Sequence, residues 1–143
     1  MKILLLMPPI LASERGGKLA SASAVMPSLG MLYLASVLRQ RDHDVNILDA
    51  EVRCLSIDET AREIGKAAPD VLGITATTLM IDKALMVAEK VRAENTKTKI
   101  FLGGPHVTAL PEETMQRASY IDACCVGDSE ISFPMALDNI EQG

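Results

Sequence analysis

Aromatic side chains are nearly missing from this chain: no Trp, two Tyr and two Phe occur among its 143 residues. Proteins that hold single-stranded nucleic acid stack bases on aromatic rings, and too few rings are available here to build such a surface. Positive charge is scarce as well. Fourteen Lys and Arg face 19 Asp and Glu, leaving a net charge of −5 and a pI near 5.0. No basic excess remains to displace counterions from a phosphate backbone, so no nucleic-acid partner is expected. The three cysteines, Cys54, Cys124 and Cys125, are an odd number in a chain without secretory features, which argues against a disulfide framework. They are read as buried fillers or inert thiols, with the adjacent Cys124 and Cys125 facing opposite ways on a strand. No Cys and His cluster has zinc-site spacing. No apolar run approaches the ~20 residues of a membrane span. The opening "MKILLLMPPI" is cut short by Pro8-Pro9, with no small-residue cleavage site directly after it. The expectation is a cytoplasmic protein without a membrane partner.

What is present is a regular alternation. Apolar residues make up 48% of the chain, enough for one globular domain of this length. Five short apolar runs stand out: "KILLLM" (2–7), "DVNILDA" (44–50), "DVLGITA" (70–76), "KIFLG" (99–103) and "IDACCVG" (121–127). Most are continuously apolar rather than alternating, the pattern of strands buried on both faces of a parallel sheet. Helical patterns lie between them. Ser28 is placed to cap "LGMLYLASVLRQR", which is apolar almost all round and is expected to be heavily buried. Ser56 and Glu59 have capping-box spacing before a segment that Pro69 stops. Leu85, Ala88 and Val91 share the core-facing side of residues 79–94, and Pro111 suits the first position of a short helix. Asp128 or Ser129 opens the last helix, where Pro134 is tolerable only near the first turn. The alternation predicts an α/β, flavodoxin-like (Rossmann-like) fold: a five-stranded parallel sheet of order 2-1-3-4-5 with helices on both faces.

Chemistry in open α/β sheets collects at the carboxyl ends of the strands, near the switch in strand order. The first strand ends in Pro8-Pro9 and a loop of about 20 residues, long against the usual ~2–6 and therefore read as a lid or binding loop. The third ends in Thr75, Thr77 and Thr78; the fourth in Gly103-Gly104-Pro105-His106; the fifth in Gly127-Asp128-Ser129-Glu130. Glycines let a ligand approach the backbone, and threonines supply directional hydrogen bonds. The resulting floor of small residues suits something large and planar, or an extended tail. G-x-G-x-x-G after the first strand and G-x-x-x-x-G-K-[ST] are both absent, which removes dinucleotide and P-loop readings. Strands one and three lack the acidic ends of a response-regulator receiver. Neither His43 nor His106 has a catalytic partner nearby in sequence. His43, in a polar "RDHD" turn, is expected to be solvated, and His106 to contact a ligand or to cap its loop rather than to bind metal.

The set "MPPI", "PSLGMLYLASVLR", "HDVNILDA", "DVLGITATT", "FLGGPHVTALPEE" and "IDACCVGDSE" resembles the N-terminal cobalamin-binding domain of B12-dependent radical SAM proteins, over nearly the whole chain. That group includes methyltransferases and the anaerobic magnesium-protoporphyrin ester cyclases. The resemblance implies cobalamin, with its nucleotide tail between the strand ends and its corrin over the loops. Carried over by position, Thr75, Thr77 and Thr78 lie beside the tail, with Gly103, Gly104, Pro105 and His106 after the fourth strand and Gly127 and Asp128 after the fifth. Pro8 and Pro9 lie near the corrin. The B12 mutases carry Asp-x-His-x-x-Gly after the first strand to supply a histidine to cobalt; here "MPPILASERGG" has none, which implies base-off cobalamin without a protein histidine on the metal. The family's usual "GEGE" is "GDSE" here. The cysteines do not form the Cys-x-x-x-Cys-x-x-Cys of a radical SAM cluster, so the 4Fe-4S cluster and S-adenosylmethionine belong to a catalytic domain acting in cis or in trans. Residues 1–143 are then expected to form one cobalamin-binding-like domain, excised from a longer protein or a stand-alone relative, and not catalytic alone. The alternative is a cofactor-free docking module on the same fold; a flavin or nucleotide-sugar binder on the same rim lacks its phosphate-loop signal.

Overall fold

The apolar runs pair into one sheet. The computed structural model describes residues 1–10, 14, 26 and 28–141, so most of the long loop after the first strand lies outside the described residues. Strands β1 (Lys2–Met7), β2 (Asp44–Asp49), β3 (Val71–Thr75), β4 (Lys99–Gly103) and β5 (Ala123–Cys124) are all parallel, in the order β2-β1-β3-β4-β5. This is the expected flavodoxin-like order, with the switch between β1 and β3. The fifth strand is shorter than its apolar run, because only Phe101 and Leu102 of β4 find partners in it.

Side-chain alternation splits the core in two. On one face, Leu4, Leu6, Leu72, Ile74, Ile100 and Leu102 pack under α2 (Ile57–Ala67) and α3 (Ile81–Glu94). On the other, Ile3, Leu5, Val71 and Phe101 pack under α1 (Leu29–Arg39) and α6 (Ser129–Glu141). The caps behave as their residues require. Ser28 Oγ accepts from Met31 N–H, and Ser56 and Glu59 form a full capping box on α2. Leu85, Ala88 and Val91 are buried along α3 as expected.

Several expectations need correction. Helix α1 is not buried all round: Met31, Leu34, Ala35 and Leu38 face the core, whereas Leu29 and Tyr33 are 70% and 64% exposed. One surface helix can turn only one stripe to a single sheet. Residues 104–110 do not form a plain loop, since α4 (Pro105–Ala109) adds one turn before α5 (Pro111–Arg117). Pro134 is the sixth residue of α6 and lies beyond its first turn, so its missing N–H removes a rung to Glu130. Cys54 is exposed, not buried. Cys124 and Cys125 do join opposite core faces, and burial pushes the Cys125 thiol up to about 11, leaving it protonated and inert. His43 is half-buried rather than freely solvated, with Nδ1 3.4 Å from the Met1 amino group.

The short edge strand is held by a polar clamp. Asp122 accepts from Ile100 N–H at 2.8 Å and from Lys99 Nζ at 3.2 Å, and it pairs with Arg92, which also donates to the carbonyls of Tyr120, Thr96 and Thr98. Burial alone would raise the Asp122 pKa. The Ile100 N–H, Lys99 and the Arg92 charge outweigh it and hold the carboxyl below its ordinary 3.8. Its stabilisation is complete above that value and is lost as pH falls through the lower folded-state pKa. Asp122→Ala is expected to cost about 1–2 kcal/mol at pH 6, since it leaves donors unpaired behind a side chain only 25% exposed. The gap between the urea midpoints of variant and parent should close toward pH 2.

Candidate functional site

The carboxyl ends of β3 and β4 are joined into one rim by backbone bonds. Ala76 N–H donates to Gly103 O at 2.9 Å, and His106 N–H returns to Ala76 O at 3.1 Å. Between them Gly104 takes φ +98° and ψ −178°, a region that is essentially glycine's alone. A Cβ there would stand 2.8 Å from both Ala76 O and Thr75 Oγ1. The local sequence is therefore glycine because the two strand ends touch. At the next strand, Gly127 (φ +76°) donates its N–H to Thr108 Oγ1 at 3.1 Å, tying the β5–α6 turn to α4.

Beneath this rim lies a cavity of about 330 Å³, at the small end of the ~300–1,000 Å³ usual for small-molecule sites. Its base is made by Leu5 of β1, Gly73 of β3 and Phe101 of β4; one side is Gly30, Met31 and Leu34 of α1, and the other is Phe133 of α6. Thr75, Ser28, Asp128, Ser129 and Glu130 line it nearer solvent. Gly73 is mid-strand for a packing reason: a Cβ on it would meet Phe133 Cε2 at 2.7 Å and Leu5 Cδ2 at 3.0 Å. Gly30, on the helix side, is exposed and faces open space, with no described residue within 4 Å of its missing Cβ.

Of the residues singled out from sequence, Thr75, Gly103, Gly104, Pro105, Gly127 and Asp128 line this cavity. Pro8 and Pro9 are buried and lie outside its wall, and Thr77 and Thr78 are exposed on the β3–α3 loop. His106 is also outside it. The residue is only 5% exposed, with Nδ1 3.2 Å from Thr78 Oγ1 and a buried Nε2 that has no hydrogen-bond partner among the described residues. An unpaired buried polar atom costs about 1–3 kcal/mol. His106→Leu, similar in bulk, is therefore expected to leave the ligand-free protein as stable as the parent or up to about 1 kcal/mol more so. A fall of several degrees in thermal midpoint would show that Nε2 has a partner after all.

Gly73, Phe101, Phe133, Gly30 and Ser28 were not among the expected site residues. A glycine inside a strand pattern was a readable sign of close approach, but the approaching group, Phe133, is 60 positions away in sequence. Among the described residues, no group of three or more His, Cys, Asp or Glu could hold a metal ion, and no helix is long and apolar enough to cross a membrane.

The groove lies at the carboxyl ends of the central strands of a doubly wound α/β domain, the place where open α/β sheets bind their ligands. The chain belongs to the B12 binding domain family, whose model matches residues 17–137. It is 38% identical over its full length to an uncharacterised methyltransferase of Pyrococcus horikoshii, spanning 30% of that protein. It is also 30% identical over 82% of its length to the anaerobic magnesium-protoporphyrin IX monomethyl ester cyclase of Rubrivivax gelatinosus, spanning 21% of that protein. Among solved structures, the cobalamin-dependent S-adenosylmethionine radical enzyme OxsB, with aqua-cobalamin and S-adenosylmethionine bound, matches 99% of this chain at a TM-score of 0.80 and 16% identity. The match takes in 19% of that enzyme, and at this identity it speaks for the fold. The chain thus spans under a third of the length of each of these proteins.

Proposed function

We propose that the chain is the cobalamin-carrying domain of a B12-dependent radical SAM protein, with methyl transfer or related radical chemistry as the activity of the whole. The observation that carries this reading is the groove under the rim. Its size admits a flat bicyclic base with part of its sugar but not a corrin macrocycle, and its floor is closed by Phe133 and Leu5 over Gly73, while Gly30 leaves the α1 side open. That is the shape of a nucleotide tail entering between strand ends while the larger ring stays outside.

In this reading, Gly73, Leu5, Phe101 and Phe133 hold the base by excluding water from it. Thr75 offers a hydroxyl, and the turn at Gly127 and Asp128 offers backbone groups nearer the solvent. Thr77, Thr78 and His106 belong to the rim over which the ring would lie, with the buried Nε2 as the atom in want of a partner. With its base seated in the groove the cofactor would be base-off, and the segment that begins at Pro8 and Pro9 contains no histidine to offer cobalt. Cobalamin, when bound, supplies cobalt as a carrier of an alkyl group. The 4Fe-4S cluster and S-adenosylmethionine are assigned to a catalytic domain in cis or in trans, and the domain described here does not catalyse alone.

The test is reconstitution with hydroxocobalamin, removal of free corrinoid by desalting, and a visible spectrum. A retained corrin band at near 1:1 stoichiometry is expected; its loss in every buffer tried overturns the reading. One feature favours a second reading, a docking module without cofactor. Tyr33 of α1 and Ile131 and Met135 of α6 are exposed by 64%, 64% and 61% on two helices that pack together. Capture of a purified radical SAM partner by cofactor-free protein that has failed to retain cobalamin would support it.

A further inference from the structure

The cavity is layered by polarity. Its deep residues, Leu5, Gly73, Phe101 and Phe133, are all buried and carry no polar side-chain atom. The polar side chains are those of residues nearer the surface, among them Ser28, Thr75 and exposed Asp128. Both phenylalanines of the chain are in the deep layer, edge to face with centroids 5.3 Å apart and planes at 71°. The backbone polar groups of Gly73 are directed along the sheet, toward Leu5 and Phe101 on the neighbouring strands. Anything carried to the base of the groove therefore meets hydrocarbon.

We propose that this layer selects corrinoids by the chemistry of their lower base, admitting a hydrocarbon-edged base such as 5,6-dimethylbenzimidazole and rejecting a purine such as adenine. Phe101 and Phe133 are the specificity-determining residues. The inference rests on the reading of the chain as a cobalamin carrier. The sugar end of the base is tethered to a macrocycle too large for the cavity, so the six-membered ring distal to the sugar leads into the groove. In dimethylbenzimidazole that ring presents two methyl groups to the phenylalanine edges. In adenine it presents two ring nitrogens and an exocyclic amine, which lose water and find no partner there. Each buried polar group left unpaired costs roughly tenfold in affinity, and discrimination by such unpaired groups exceeds what a methylene difference achieves.

The experiment titrates the full chain with cobalamin, adeninylcobamide and cobinamide, which has no nucleotide, and reads binding from the visible spectrum and from retention on a filter. Cobalamin is expected to bind at least about 30-fold tighter than adeninylcobamide, and tighter than cobinamide. Phe133→His, which puts a polar ring in the deep layer, is expected to shrink the first ratio below about threefold. Its folding is checked by circular dichroism, and the unmodified chain decides the matter if the variant does not fold. Equal affinity for cobalamin and adeninylcobamide overturns the proposal. So does equal affinity for cobalamin and cobinamide, which would keep the carrier reading but take the base out of the groove. Failure of all three to bind overturns the carrier reading itself, and this inference with it.

Discussion

Gly104→Ala is expected to lower the unfolding free energy by about 3 kcal/mol, roughly 10 °C in thermal midpoint for a chain of this size. Two costs add. At φ +98° and ψ −178° an L-residue is strained. The new methyl would also lie 2.8 Å from Ala76 O and Thr75 Oγ1, and Ala76 is fixed on both sides by bonds to Gly103 and His106. The backbone carbonyl cannot rotate away as the end of a flexible side chain could. Relief requires β3 and β4 to part where Thr75 pairs with Gly103. Differential scanning calorimetry checks the prediction, and a shift under about 3 °C would show that the rim yields. Gly127→Ala is the control: it shares a positive φ but has no described atom within 4 Å of the missing Cβ, so it should cost only about 1 kcal/mol.

Gly73→Val should act on the ligand more than on the fold. Its Cβ would press on Phe133 Cε2 at 2.7 Å and Leu5 Cδ2 at 3.0 Å, side-chain atoms that can move, and the open direction is into the cavity. Overpacking of this kind costs about 1–3 kcal/mol of stability. The displaced phenylalanine would occupy the space proposed for the base, so cobalamin affinity should fall at least about 100-fold, close to 2.7 kcal/mol. Cobinamide, with no base to seat, should be unaffected. Parallel titrations of parent and variant give the result; an equal loss for both corrinoids would mean that Gly73 supports the fold and not the tail.

The strands were legible because both faces of a parallel sheet are covered: "KILLLM" and "KIFLG" cannot alternate when each side chain meets a helix. Capping at Ser28 and Ser56 was legible because it is local chemistry. The single turn of α4 was not, since Gly-Gly-Pro-His reads as a turn and the helix is fixed by long-range bonds such as His106 N–H to Ala76 O. The exposed side of α1 was illegible for a different reason: composition gives the apolar total of a helix, and only the partner decides how much is covered. That the glycines and Thr75 share one cavity wall was legible because they cluster at strand ends. Phe101 and Phe133 were overlooked because one sits inside a strand and the other inside a helix, where a phenylalanine is ordinarily core.

Pro134 follows Phe133 directly, and its missing N–H leaves α6 one rung short next to the residue that closes the groove. The floor belongs to β1, β3 and β4, where yielding means breaking an interstrand ladder. Of the two boundaries, the helix one hydrogen bond short is the one expected to yield first. Amide exchange should therefore be fastest through the first two turns of that helix and slowest in the three central strands.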